Sequence, residues 1–193
     1  MVADDVMDVY VLIIMEHMNS KPYPYNIRAA ITRPLALLMS STEHTGEESL
    51  LMMADAVRRF ADVDVILMPI ILHGHFHLLL LDKVKKEYIH YSSSVSLEYD
   101  QDAIHMRELF DRCLAIEFGD NAVETYPLRH ERNCPWQKPG TVDCPVYVMR
   151  FIEQILAGEK LKLPQTDIPH LRLRFVARIL MDGIARGRRT SGQ

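Results

Sequence analysis

Two stretches in the middle of the chain are almost continuously apolar. Residues 64–72 and 75–82 are dense in Val, Ile and Leu, and apolar runs of this length predict two buried strands. A polar turn at 83–86 leads into a third strand at 87–92, so the second and third strands should form a hairpin. A further short strand is predicted at 122–128.

Segments with helical spacing of apolar residues lie on both sides of these strands. The spacing predicts an amphipathic helix over about 4–18 and a second one from Thr45, which has capping-box spacing with Glu48, to about residue 61. Three more are predicted at 101–117, from Cys144 or Pro145 to about 158, and at 168–185. Residues 21–34 contain three prolines and predict an extended loop. This order indicates an α+β domain with helices packed around a small central sheet.

Composition and charge narrow the class of protein. The 193 residues, 48% hydrophobic and 25% charged, are typical of one globular domain spanning 1–193. The net charge of −4 argues against a general nucleic-acid binder. The arginine-rich end, from about 186, fits a solvated helix face with a frayed tail or a weak nuclear-targeting or polyanion-binding tail.

The compartment can be inferred from the N-terminus and the cysteines. The first residues are acidic where a signal peptide would be basic, and no apolar stretch approaches the ~20 residues of a membrane span. The three cysteines form no C-x-x-C motif. We therefore expect an intracellular, reducing compartment and no membrane association.

Cys144 stands at a predicted helix start. The helix dipole and the free backbone N–H groups there would stabilise a thiolate, lower the thiol pKa and hold a developing oxyanion. In the alternative interpretation Cys144 is a small buried hydrophobe. Gln137, a few residues upstream, could donate a hydrogen bond to the same oxyanion, or it could be an ordinary surface residue.

Three histidines stand close together at positions 73, 75 and 77. His75 and His77 share one face of a strand, because side chains alternate along it. One of them could be the base for a cysteine, or the two could be metal ligands, with Cys134, His130 or Cys144 as candidates for a third. They could also be solvent-exposed residues at the end of a strand.

Two blocks of the sequence resemble the SUMO (ubiquitin-like-protein) protease family. The residues from His75 to Asp82, HFHLLLLD, and the following YIHYSS resemble the pattern H-W-x-L-x-x-x-D and then h-Y-D-S. The segment from Cys134, CPWQKPGTVDCPVYVM, resembles C-P-x-Q-x-x-x-x-D-C-G-x-Y-V-M. The resemblance extends to the opening helix and is closest to plant members of the family, many of them transposon-associated.

The resemblance implies an α+β, papain-like cysteine-protease fold and cleavage after a Gly-Gly C-terminus. That activity would mature SUMO or release it from lysines, so the implied partner is SUMO or another ubiquitin-like protein and its conjugates. The implied catalytic residues are His75 as base, Cys144 as nucleophile and Gln137 as oxyanion donor. Phe76 and Trp136 are candidate substrate contacts. We expect no cofactor and no metal. With the absence of a signal peptide, the resemblance also predicts a monomer in the nucleus or the cytoplasm.

Several positions depart from the family pattern. Ser92 stands where the family has the aspartate that orients the histidine, and a hydroxyl stabilises an imidazolium less than a carboxylate does. Pro145 replaces the glycine after the nucleophile and removes one backbone donor. Phe76 replaces a tryptophan, and Lys138 makes the loop before Cys144 one residue longer.

Three functions are therefore compatible with the sequence. The first is a cysteine isopeptidase, weakened or not by Ser92. The second is a pseudo-protease that still binds a ubiquitin-like protein. The third is a metal-dependent site built on His75 and His77.

Overall fold

The computed structural model describes residues 4–19, 27–29, 50–51, 54, 57–119 and 125–190. Its helices are α1 (Asp4–Asn19), α2 (Leu97–Phe118), α3 (Cys144–Leu156) and α4 (Ile168–Thr190). Its strands are β1 (Ile27–Ala29), β2 (Val65–Leu72), β3 (His75–Asp82), β4 (Glu87–Tyr91) and β5 (Leu128–Glu131). Short 3₁₀ turns occupy Arg58–Phe60 and Gln165–Asp167.

The five strands form one mixed sheet in the order β1-β2-β3-β4-β5. The two central pairs, β2 with β3 and β3 with β4, are antiparallel, whereas β1 and β5 run parallel to their neighbours. A two-residue turn joins β2 to β3, with positive φ at His73 (51°) and Gly74 (69°). Two positive φ values match the type I′ turn, which suits the twist of a tight hairpin.

Helices cover both faces of the sheet, which gives two hydrophobic cores. Residues alternate along β3, so Phe76, Leu78 and Leu80 pack on the side of α1, α3 and α4. Leu79 and Leu81 pack on the opposite side, against α2. Since both faces are covered, β3 is buried along its whole length, which explains why its sequence is a continuous apolar run.

Most predicted elements are present, with some shifted boundaries. The helix predicted at 4–18, the strand hairpin and the helix start at Cys144 are confirmed. Helix α2 begins four residues earlier than predicted, and α4 continues to Thr190. The extended loop predicted at 21–34 contains the short strand β1; the rest of that segment and the predicted helix start at Thr45 lie outside the described residues.

The predicted bounds of the strand at 122–128 are wrong over residues 125–127, and residues 122–124 lie outside the described part of the chain. The strand lies at Leu128–Glu131 instead, and residues 125–127 are not in a strand. The physical reason is that β5 is an edge strand selected by parallel pairing with β4, where Tyr88 faces Leu128 and Tyr91 faces Glu131. In the described part of the chain, no helix is both long enough and apolar enough to cross a membrane.

Candidate active site

His75 is the first residue of β3, and it is buried. Its Nε2 lies 3.0 Å from the hydroxyl of Ser92, the residue that directly follows β4. The Ser92 hydroxyl donates its single hydrogen to the carbonyl oxygen of Ser94, at 2.6 Å. Ser92 must therefore accept from His75, which places the imidazole proton on Nε2 and leaves Nδ1 with a free lone pair.

An aromatic ring covers His75. The ring of Tyr99, in the first turn of α2, stacks on it with a centroid distance of 4.1 Å and an interplanar angle of 18°. His77 stacks at 5.8 Å, so His75 and His77 do share a face as predicted. Both histidines are buried, which contradicts the interpretation that they are exposed at a strand end. Burial lowers the pKa of His75 to about 4, so its imidazole is neutral at pH 7.

Cys144 is the first residue of α3, which packs on β3. It is 5% exposed. Burial raises the pKa of its thiol, while hydrogen bonds from the backbone at Phe76 and at Cys144 itself oppose the rise. The expectation that the helix start lowers this pKa is therefore wrong for the resting site, because desolvation is the larger effect.

The loop before the cysteine is tied to the last helix. Asp143 is buried, and its carboxylate forms an ion pair with Arg172 of α4. Gln165 donates to its other oxygen at 3.4 Å. The backbone carbonyl of Asp143 accepts from the N–H of Val146 at 2.9 Å. Helix α3 thus begins normally despite Pro145, which lies in its first turn, where a missing N–H costs little.

Gln137 is held by three hydrogen bonds. Its backbone N–H donates to the Ser93 carbonyl at 2.8 Å, and its Oε1 accepts from the Ser93 hydroxyl at 3.0 Å. Its Nε2 donates to the carbonyl of Thr141 at 3.2 Å. Because Oε1 faces Ser93, the amide orientation is fixed and one N–H of Nε2 remains for another acceptor.

The loop before α3, in which Lys138 is the predicted extra residue, contains a turn. The carbonyl of Lys138 accepts from the backbone and the side chain of Thr141, at 3.2 and 2.8 Å. Gly140 within the turn has a φ of 78°, which favours glycine. The segment before α3 therefore closes in a local turn.

The two candidate substrate contacts differ in exposure. Trp136 is 53% exposed, and its carbonyl accepts from the hydroxyl of Tyr147 at 2.8 Å. Phe76 is buried in the core between β3 and α3. Trp136 is therefore open to a ligand, whereas the side chain of Phe76 is not.

In the described part of the chain, no further ligand joins His75 and His77 to form the metal site considered from the sequence. His77 Nδ1 lies 2.8 Å from His90 Nε2, and the Cys134 thiol donates to the carbonyl of Ser92 at 3.0 Å. Among the described residues, a different set of side chains has the spacing of metal ligands. These are His90 on β4, His130 on β5 and Asp100 in the first turn of α2. Of these, only His130 was a candidate from the sequence.

Two residues of the site escaped prediction. Ser93 positions the Gln137 amide, and the serine of the h-Y-D-S pattern could have identified it from the sequence. Tyr99 stacks on His75 but lies in a polar segment with no helical spacing of apolar residues, so the sequence held no comparable signal. Together the described groups provide a neutral imidazole with a free Nδ1, a thiol at a helix start, and an oriented amide.

The family profile described as Ulp1 protease family, C-terminal catalytic domain, matches residues 2–181. No curated protein sequence matches the chain closely enough to be a relative.

Several solved structures share the fold. The Ulp1 protease domain in complex with Smt3, the yeast ortholog of SUMO, is 21% identical with a TM-score of 0.69, over 94% of this chain and 77% of that one. The Xanthomonas campestris effector XopD bound to ubiquitin is 19% identical with a TM-score of 0.61, over 91% and 90%. The Chaetomium thermophilum Ulp1-like SUMO protease catalytic domain is 18% identical with a TM-score of 0.61, over 89% and 67%.

The α+β fold, with its helices on both faces of a small mixed sheet, is thus the fold of these proteases. Since the family profile covers residues 2–181 of the 193, the chain belongs to the Ulp1 protease family of cysteine peptidases.

Proposed function

We propose that the chain is a cysteine isopeptidase that cleaves after the Gly-Gly C-terminus of SUMO or a related ubiquitin-like protein. The observation that carries the proposal is the proton placement at His75. Its Nε2–H is committed to Ser92, at 3.0 Å, so Nδ1 is the basic atom. A neutral imidazole with one free nitrogen is the form that a general base needs.

The first half-reaction forms a thioester. Nδ1 of His75 takes the proton of the Cys144 thiol, and the thiolate attacks the carbonyl carbon of the terminal glycine. The resulting imidazolium gives its proton to the leaving lysine amine as the C–N bond breaks. Water then attacks the thioester with His75 again as the base, which frees the glycine carboxylate and restores the thiol.

The oxyanion needs donors that are in place before the reaction. The backbone N–H of Cys144 and the remaining N–H of Gln137 Nε2 are the two candidates. Pro145 supplies none, and the N–H of Val146 is used by the carbonyl of Asp143. Gln137 thus contributes a larger share of the oxyanion stabilisation in this chain than it would in a chain with glycine at position 145.

The proposed partner rests on the family and on two relatives. The Ulp1 domain was solved with Smt3 and XopD with ubiquitin. Trp136, half exposed in the loop that leads to Cys144, is the proposed aromatic contact for the Gly-Gly tail, and Phe76, whose side chain is buried, is proposed to contribute through its backbone.

The whole chain, 1–193, is proposed to act as one monomeric domain in the nucleus or cytoplasm. The family profile covers 2–181 and α4 continues to Thr190, so the basic residues from about 186 extend that helix. The plant, transposon-associated type stays a prediction.

A second candidate is a pseudo-protease that binds a ubiquitin-like protein without cleaving it. Ser92 provides no charge to stabilise an imidazolium, and burial moves both pKa values, of His75 downward and of Cys144 upward. Both shifts favour the neutral thiol and imidazole over the reactive ion pair.

The test is covalent labelling with SUMO and, separately, ubiquitin that carry a C-terminal electrophile. We expect an adduct with SUMO that disappears in Cys144→Ala and forms much more slowly in His75→Ala. Cys113→Ala is the matched control, because Cys113 is a buried cysteine on the other side of the sheet.

The outcomes separate the two candidates. A folded protein that binds free SUMO but forms no adduct would be a pseudo-protease. An adduct that survives Cys144→Ala would reject the assigned nucleophile, and labelling by ubiquitin alone would reject SUMO as the preferred modifier.

A further inference from the structure

Outside the proposed active site, two histidines and an aspartate converge at one edge of the sheet. His90 lies on β4 and His130 on β5, directly opposite each other in the parallel pairing. Asp100 comes from the first turn of α2. We propose that these three side chains form a binding site for a divalent transition-metal ion of the zinc class.

The three ligand atoms have the mutual spacing that such an ion requires. His90 Nδ1 and His130 Nδ1 are 2.9 Å apart, His130 Nδ1 and Asp100 Oδ1 3.1 Å, and His90 Nδ1 and Asp100 Oδ1 3.5 Å. Zinc–nitrogen bonds of about 2.0–2.1 Å at a tetrahedral angle place ligands about 3.3 Å apart. Coordination therefore requires adjustments of only about 0.4 Å at the closest pair.

The hydrogen-bond chain behind His90 leaves its Nδ1 free of a proton. Asp102 Oδ2 and His77 Nε2 face each other at 3.8 Å, and both are buried atoms with no hydrogen-bond partner. A carboxylate can only accept, so the proton of His77 belongs on Nε2, and His77 Nδ1 accepts from His90 Nε2 at 2.8 Å. His90 therefore directs a bare lone pair at His130 and Asp100.

Metal-binding histidines commonly have hydrogen-bond partners arranged in this way behind the ring. A ligating imidazole normally donates its other N–H to a neighbouring acceptor, which fixes the ring and the tautomer. Here His77 is that acceptor, with Asp102 behind it. The one hydrogen among these three ligand atoms, on His130 Nδ1, is shared by two acceptors, His90 Nδ1 at 2.9 Å and Asp100 Oδ1 at 3.1 Å. A bound cation would satisfy both acceptors at once.

Charge and access also suit a cation. Two neutral imidazoles and one carboxylate leave a net negative charge for the ion, although Arg132, paired with the other oxygen of Asp100, offsets part of it. Asp100 Oδ1 remains for monodentate binding. The His130 side chain is 23% exposed, so an ion can enter from solvent and keep a water as its fourth ligand, as three-ligand zinc sites do.

The test uses the full chain after treatment with a chelator. We expect one Zn²⁺ bound per chain by calorimetry and elemental analysis, and a rise in Tm of about 5–10 °C at a hundredfold excess over Kd. Co²⁺ in its place should give the absorption of a tetrahedral nitrogen–oxygen site, without a thiolate charge-transfer band.

Three variants locate the site. His130→Ala and Asp100→Asn should each weaken Zn²⁺ binding by at least ~100-fold, and His77→Phe, which removes the acceptor behind His90, by ~10- to 100-fold. His170→Ala is the matched control, because His170 is an exposed histidine on α4, and it should change nothing. Circular dichroism of the metal-free variants verifies that each is folded.

Three results would overturn the proposal: no stoichiometric Zn²⁺ on the wild-type chain, binding that survives both His130→Ala and Asp100→Asn, or a Co²⁺ spectrum with a thiolate band that Cys144→Ala abolishes. Zn²⁺ binding lost in the first two variants and retained in Cys144→Ala supports it. None of these readouts depends on protease activity, so they are independent of the proposed function.

Discussion

At the scale of single residues, the hydroxyl of Ser92 determines how well the protonated form of His75 is stabilised. Replacing it with a carboxylate, Ser92→Asp, should raise the pKa of His75 from about 4 and stabilise the imidazolium that forms during the reaction. We expect kcat/KM for a SUMO substrate to rise on the order of 10- to 100-fold, less than the ~10⁴ effect of the corresponding change in a serine-protease triad.

The matched control is Ser92→Asn, which has nearly the same shape as aspartate and no charge. It should leave kcat/KM close to or below that of the wild type. Equal gains in the two variants would mean that the size of the side chain matters and its charge does not. NMR titration of His75 would then show no upward shift in either variant.

Ser93 is a positioning residue, since its hydroxyl holds Oε1 of Gln137 at 3.0 Å. Ser93→Ala frees the amide to rotate, and we expect kcat to fall about tenfold with KM nearly unchanged, because loss of a whole oxyanion donor costs about 10²–10³. Ser93→Thr, which keeps the hydroxyl, should restore kcat. A change in KM alone, or no rescue by threonine, would contradict this role.

At the scale of the element, the start of α3 depends on the ion pair that ties it to α4. Arg172→Met leaves the buried carboxylate of Asp143 with Gln165 as its remaining side-chain partner. We expect the free energy of unfolding to fall by about 1–3 kcal/mol, measured by urea denaturation.

A matched arginine on the sheet tests the cause. Arg129 is as exposed as Arg172, but its partners Glu87 and Glu131 are less buried than Asp143. Arg129→Met should therefore cost less than about 1 kcal/mol. Equal losses in the two variants would show that burial of the acidic partner is not what matters.

The elements also show what sequence patterns can predict. Strands β2 and β3 were predictable because burial on both faces makes them continuously apolar. The first turn of α2 was not predictable, because Leu97 is exposed and the turn has no apolar spacing. Its one sequence signal is the helix cap, in which the Ser96 hydroxyl accepts from the N–H of Glu98 at 3.2 Å. Strand β5 is polar and half exposed, so it is set by pairing with β4 rather than by its own residues.

The same distinction holds for the site. Local sequence motifs contain the three predicted catalytic residues: His75 on β3, Gln137 in the loop before α3, and Cys144 at the start of α3. Tyr99 and the partners of His90 come together only through contacts between distant elements. No local pattern marks them.

At the scale of the whole molecule, burial of His75 makes stability depend on pH. Its pKa is about 4 in the folded chain and about 6.5 when unfolded, so the unfolded state binds more protons between these values. The stabilisation is complete above about pH 6.5 and is lost as pH falls toward about 4. We expect a loss on the order of 2–3 kcal/mol, measured by urea denaturation from pH 7.5 to 4.

Substitution of His75 isolates its share of this effect. His75→Gln should make the curve between pH 6.5 and 4 shallower but not flat, because burial also lowers the pKa values of His77, His90 and His130. His170→Gln, at an exposed position, should leave the curve unchanged. Equal slopes in the wild type and in His75→Gln would show that His75 is solvated in solution.

The neutrality of Ser92 has a consequence for the chemistry of small reagents. When Cys144 transfers its proton to His75, the thiolate and imidazolium cancel, whereas a nearby aspartate would leave the site with a net negative charge. An ion pair without net charge acts on approaching molecules as a dipole, whose field fades over a shorter distance than that of a single charge. The charge of the reagent should therefore have little effect on the rate at which this cysteine is alkylated. Ionic strength should barely alter the ratio of the rates with anionic iodoacetate and uncharged iodoacetamide.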